Sequence, residues 1–79
     1  MKKTFNIGEL ALGGILECEL SNDKFSVICR DMNTKKPVQS GIFSIPKDKQ
    51  ELFVWLGCDI TTSYHADKIL DHFKINMFS

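Results

Sequence analysis

Residues 15–31, "ILECELSNDKFSVICRD", limit the fold more than any other stretch, because two runs of strict alternation are joined by four polar residues. In the first run Leu16, Cys18 and Leu20 point to one side and Ile15, Glu17 and Glu19 to the other, the period-two pattern of a half-buried strand. In the second, Phe25, Val27 and Cys29 alternate with Ser26, Ile28 and Arg30. The linking "SNDK" is tight-turn chemistry, since Asn and Asp tolerate positive φ. With Asn22 and Asp23 as the two turn residues, 21 faces 24, 20 faces 25, 18 faces 27 and 16 faces 29. Directly opposed residues share a face of a sheet. Leu16, Cys18, Leu20, Phe25, Val27 and Cys29 therefore form one apolar wall, and a slip of one residue would destroy it.

The remaining elements obey the same periodicities. "MNTKKP" reads as a second turn and "VQSGIFSI" as a third strand. Val38 and Ile42 share one face there and Phe43 and Ile45 the other; the latter pair is expected inward because it carries more apolar area, and Gly41 is a candidate bulge. "KTFNI" is a fourth strand with Phe5 and Ile7 on one face, and "GELALGG" a connection. After Ile45 the period changes. "PKDKQELFVWLG" predicts a helix with Pro46 in its first turn, Asp48 near the positive end of the dipole and Gly57 as the stop. Leu52, Trp55 and Leu56 are its inward stripe. A second helix is expected over residues 63–73, capped from Thr61, Thr62 or Ser63, with Ala66, Ile69, Leu70 and Phe73 on its apolar face. Strands followed by two helices imply an α+β domain: an antiparallel sheet of three to four strands with both helices packed on one face. A chain of 79 residues is expected to form a single domain over 1–79.

Candidate chemistry is sparse. Three cysteines without even, dense spacing fit reduced thiols in a cytosol. Cys18 and Cys29 belong to the apolar wall, where a free thiol behaves as a small hydrophobe. Cys18, Cys29, Cys58, His65 and His72 lack the close cysteine pairs of a structural zinc site, so neither a metal nor a cofactor is expected. Cys58, with His65 or His72 as base, is the candidate for a thiol enzyme, but no nucleophile signature surrounds it. "GGIL" precedes a strand, whereas phosphate-binding glycine loops open a helix. The chain reads as non-enzymatic.

Ten basic and ten acidic side chains give no net charge, so nothing draws in a polyanion and direct nucleic-acid binding is not expected. A small nucleic-acid-binding regulator is the rival reading, and it predicts salt-sensitive retention on DNA or RNA. "MKKTF" begins like a signal, but Glu9 interrupts the next segment, and no apolar run approaches the roughly 18 residues of a membrane span. A cytoplasmic protein without membrane contact is expected. The outward side of the hairpin holds the candidate site: Glu17 and Glu19 with Ile15, Ile28 and Arg30 beside them and Asp31 at the strand end. Such a face, read as acidic, partly apolar and flat, suits docking on a basic protein groove. The candidate partner-binding residues are Glu17, Glu19, Arg30 and Asp31.

In layout the chain resembles the small anti-CRISPR proteins encoded by phages and mobile elements. "ELSNDKFSVICRD", the following turn and strand, and "QELFVWLG" are similar in order and length to the hairpin and first helix of a member that coats the backbone subunits of a type I surveillance complex. "KTFNIG" and "WLG" are similar to the opening and helix of a member that inhibits an HNH nuclease domain. The resemblance implies an inhibitor whose partner is a host protein, an effector subunit or nuclease domain, and whose binding blocks nucleic-acid binding or cleavage. It also implies that Asp31 stands where the first member has a target-contacting acidic residue. Where that member has an aromatic residue at the end of the preceding strand, this chain has Leu20.

Overall fold

The computed structural model describes residues 1–7 and 14–76, with the backbone alone at 7 and 58–60. The "GELALGG" connection therefore lies almost wholly outside the described residues, as does the side chain of Cys58. Four strands, β1 (Lys2–Ile7), β2 (Gly14–Ser21), β3 (Lys24–Asp31) and β4 (Pro37–Ser44), form one antiparallel meander in the spatial order β1-β2-β3-β4. The helical elements α1 (Lys49–Val54) and α2 (Ser63–His72) come after it, separated by a wide π-helical stretch, Trp55–Ile60. The α+β architecture expected from the element order is the one observed.

The central hairpin has the register that turn chemistry and wall continuity demand. Leu16 pairs with Cys29, Cys18 with Val27, Leu20 with Phe25 and Ser21 with Lys24. Asn22 sits at φ 57°, the left-handed conformation that a short polar side chain tolerates. β1 is the fourth strand, and Phe5 packs against the core with its ring edge-on to Phe73 at 6.4 Å. In β4, Phe43 is buried and Ile45, just past its end, is half-buried against the core, whereas Ile42 is 75% exposed. Gly41 is not the bulge. The register shifts between Cys29 and Arg30, where Val38 is left without a partner. Gly41 instead leaves room for rings, since a Cβ there would lie 3.0 Å from the Phe43 ring and 3.5 Å from that of Trp55.

Two expectations for the first helix are corrected. Pro46 does not open it: the Ile45–Pro46 bond is cis and residues 45–48 form a turn. Asp48 holds that turn at both ends, its carboxylate accepting from Ser44 N–H at 3.0 Å while its own N–H donates to Ser44 O at 2.6 Å. The chain must reverse off β4 before it can wind, so α1 starts at Lys49. Nor does Gly57 stop the helix. The backbone widens there, with Thr61 N–H donating to Leu56 O at 2.7 Å, a five-residue span. Leu52 and Leu56 are fully buried, and Trp55 is half-buried with its ring edge-on to Phe43 at 5.9 Å.

α2 starts on Thr62, whose hydroxyl accepts from His65 N–H. It buries Ala66, Ile69 and Leu70, with Phe73 at its C-cap. Its end is a Schellman arrangement: Ile75 N–H donates to Leu70 O at 2.9 Å and Lys74 N–H to Asp71 O at 3.0 Å, with Lys74 at φ 60° where glycine is usual. The core lies between the two layers. Leu16, Cys18, Phe25, Val27, Cys29 and Phe43 from the sheet meet Leu52, Leu56, Ala66, Ile69, Leu70 and Phe73 from the helical layer. Among the described residues, one sheet face is thereby covered and the other is not.

Candidate protein-binding face

The uncovered face is built row by row from the strand register. One row runs Lys2, Glu19, Ser26, Ile42; the next Thr4, Glu17, Ile28, Ser40; the third Asn6, Ile15, Arg30, Pro37. Each residue is one step out of phase with the buried wall, so the alternation that seals the core also fixes what this face presents. Ile15 and Ile28 are half-buried, Ile42 and Val38 exposed. A shallow hollow of about 70 Å³ lies among Lys2, Glu17, Cys18, Glu19, Ser26 and Ile28.

The structure brings three of the four predicted site residues together. Arg30 Nε donates to the Glu17 carboxylate, and Arg30 Nη1 to Lys35 O at 3.1 Å, so the guanidinium ties the middle of β2 to the β3–β4 loop. Glu19 is exposed and stands opposite Lys2. With Glu17 paired to Arg30 and Lys2 facing Glu19, the face is not acidic on balance, because β1 contributes a cation that the hairpin alone does not show. Lys24 at the margin, its Nζ donating to Ser44 Oγ at 2.7 Å, adds another.

Asp31 is placed differently. Its position has the parity of the inward row, at the rim where β3 ends, and its carboxylate accepts from Asn33 N–H at 2.8 Å and Thr34 N–H at 2.9 Å. The bonds from Thr34 and Asn33 hold its pKa below the ordinary carboxylate value. The side chain organises the β3–β4 loop, a role that "DMNT" after a strand signals through its Asp-led turn chemistry. Sequence reasoning missed the contributions of Lys2, Thr4 and Asn6 from β1 and of Ser40 from β4, which emerge when the period-two parity of the hairpin is carried across the neighbouring strands.

The described thiols sit on the opposite side. Cys18 and Cys29 are free and fully buried, and burial pushes the Cys18 thiol up to about 12 and raises that of Cys29. A thiol so raised carries no thiolate near neutrality, and the thiolate is the nucleophile. His65 Nδ1 lies 2.8 Å from Thr62 Oγ1 at the start of α2, and His72 packs edge-on to Phe5 at 5.7 Å. Among the described residues no group of three or more His, Cys, Asp or Glu is placed to hold a metal ion, and no helix is long and apolar enough to cross a membrane. Comparison with protein-family models, curated proteins and solved structures finds no match for the chain.

Proposed function

We propose that this chain is a non-enzymatic binding module that docks on a host protein through the uncovered face of its sheet. In this reading the partner is a CRISPR effector subunit or nuclease domain, and docking blocks nucleic-acid binding or cleavage in the host cytoplasm. The partner class rests on the anti-CRISPR resemblance alone. The docking face rests on one observation: three half-buried or exposed isoleucines, Ile15, Ile28 and Ile42, lie among oppositely charged neighbours on the side that none of the described helices covers. Apolar anchors ringed by polar groups are the usual anatomy of a protein interface.

The test is phage plating on two hosts, one with a type I surveillance complex and one with an HNH-containing effector, each directed against the phage. Expression of the chain is expected to restore plaques in one of them. Ile28→Ser and Glu19→Gln, both on the outer face and neither placing like charges opposite each other, are expected to abolish and to weaken restoration respectively, with thermal melts showing that both variants stay folded. Failure in both hosts discards the CRISPR partner, and full restoration by both variants discards this face.

A further inference from the structure

Among the described residues β4 is the last strand on its side of the sheet, and one row of its backbone groups meets no described strand. Two contacts fix which row. Ile45 N–H donates to Asp23 O across the β3–β4 pair, while Ser44 turns its N–H and C=O the other way, to Asp48. In an antiparallel strand these groups alternate sides residue by residue. Gly41 and Phe43 therefore face β3, and Ser40 and Ile42 face the open edge. Asp48 closes the Ser44 end, and the register shift at Val38 ends the regular stretch on the other side. The free segment is residues 38–42, "VQSGI".

This segment carries no charge, and its outward side chains read Val38, Ser40, Ile42, with Val38 57% and Ile42 75% exposed. The order is symmetric in chemistry about Ser40. We propose that a second copy of this chain docks here, β4 against β4 about a two-fold axis at Ser40, joining the two sheets into one. In that arrangement Ser40 meets Ser40 of the second copy, and each Val38 meets Ile42 of the other, so the exposed apolar groups cover one another. An interface in which residue i meets j and j meets i is what a two-fold dimer requires.

Other edges are defended against such pairing by charge or by proline in the strand. β1, at the opposite edge, has Lys2 and Lys3. Lys35 and Lys36 precede β4 and Pro37 is its first residue, so all three fall outside the free segment and no like charges meet at the axis. Ile42 belongs to both surfaces, but Ile15 and Ile28 on β2 and β3 stay open on the joined sheet, so the proposal does not depend on which host protein, if any, the outer face binds.

Sedimentation equilibrium of the full chain, from about 1 μM to about 1 mM, tests it. The wild type is expected to show a monomer–dimer equilibrium in that range. Val38→Glu and Ile42→Lys each spoil both symmetry-related pairs and are expected to weaken association about tenfold or more. Combined, the two substitutions place opposite charges face to face, and the double variant is expected to regain affinity. A wild type that stays monomeric throughout overturns the proposal and leaves the edge to a segment of another protein. A double variant as weak as the single ones overturns the axis at Ser40. Both positions are exposed, and thermal melts of all variants confirm that the fold is kept.

Discussion

The sealed inner face makes a quantitative prediction about alkaline stability. Cys18 is fully buried in the wall, opposite Val27, and its thiol is pushed from an ordinary 9.0 to about 12 by loss of solvation. For an acid whose folded pKa is raised, the neutral form is favoured by folding, so this stability is present below the unfolded pKa. It is lost as pH rises above 9, where only the unfolded thiol ionises, and the loss levels off as the folded pKa is passed. At pH 10 the unfolded state gains about 1.4 kcal/mol from this one group. Urea unfolding at pH 7 and pH 10 of the wild type and Cys18→Ala checks the figure. The variant is expected to lose about 1 kcal/mol at pH 7 from the missing sulfur, but to fall less steeply with pH than the wild type. Lysines titrate in both proteins and cancel in the comparison, as does Cys29. Equal pH slopes, or rapid labelling of Cys18 by a thiol reagent in the native protein at pH 7.5, would refute the sealed wall and reopen thiol chemistry.

Two backbone positions carry further predictions. Gly14 is buried against β3, and a Cβ there would lie 2.7 Å from the Arg30 carbonyl and 3.2 Å from Cys29 Sγ. Gly14→Ala must move backbone, with an expected net loss of about 1–2 kcal/mol and a melting temperature lower by roughly 5–10 °C; an unchanged melt would mean that the strands separate freely there. Lys74 ends α2 at φ 60°, where an L side chain is strained, so Lys74→Gly is expected to stabilise by about 1 kcal/mol. Chemical denaturation reads that sign directly, and destabilisation would show that the Lys74 side chain contributes more than its backbone costs.

The parts of the fold legible in the sequence are those set by local rules. The hairpin register comes from a two-residue turn and from parity, because a slip of one residue would turn the apolar side chains of one strand to the outer face. α2 comes from Ala66, Ile69, Leu70 and Phe73 at helical spacing. The first helix is harder to place because Pro46 and Gly57 have two meanings each. Proline suits a first helical turn but also a turn before the helix, and the pairing of Ser44 with Asp48 selects the latter. Glycine suits a helix stop but also tolerates continued winding, and the Leu56–Thr61 bond carries the backbone on. The end of α2 is unmarked because Lys74 stands where a glycine would have announced it. At the candidate face, Asp31 resembles a presented charge because a strand-end carboxylate and a loop-capping carboxylate are the same residue in sequence. Only the two N–H groups from Asn33 and Thr34 separate those roles.

The pairing of charges on the outer face changes what kind of recognition it supports. A face carrying Glu17 and Glu19 unopposed would act at a distance, steering a basic groove and weakening steeply with salt. With Glu17 held by Arg30 and Glu19 opposite Lys2, the long-range field largely cancels, and the remainder acts only at contact. Ile15, Ile28 and Ile42 are then the groups whose removal from water supplies affinity, and the charged pairs set orientation, because each buried ion must keep its partner or find another. A binder of this kind tolerates loss of one rim charge better than loss of an apolar anchor. For the same reason the central position, Ile28, flanked by Glu17 on one strand and Ser40 on the other, carries more of the proposed binding than any carboxylate on the face.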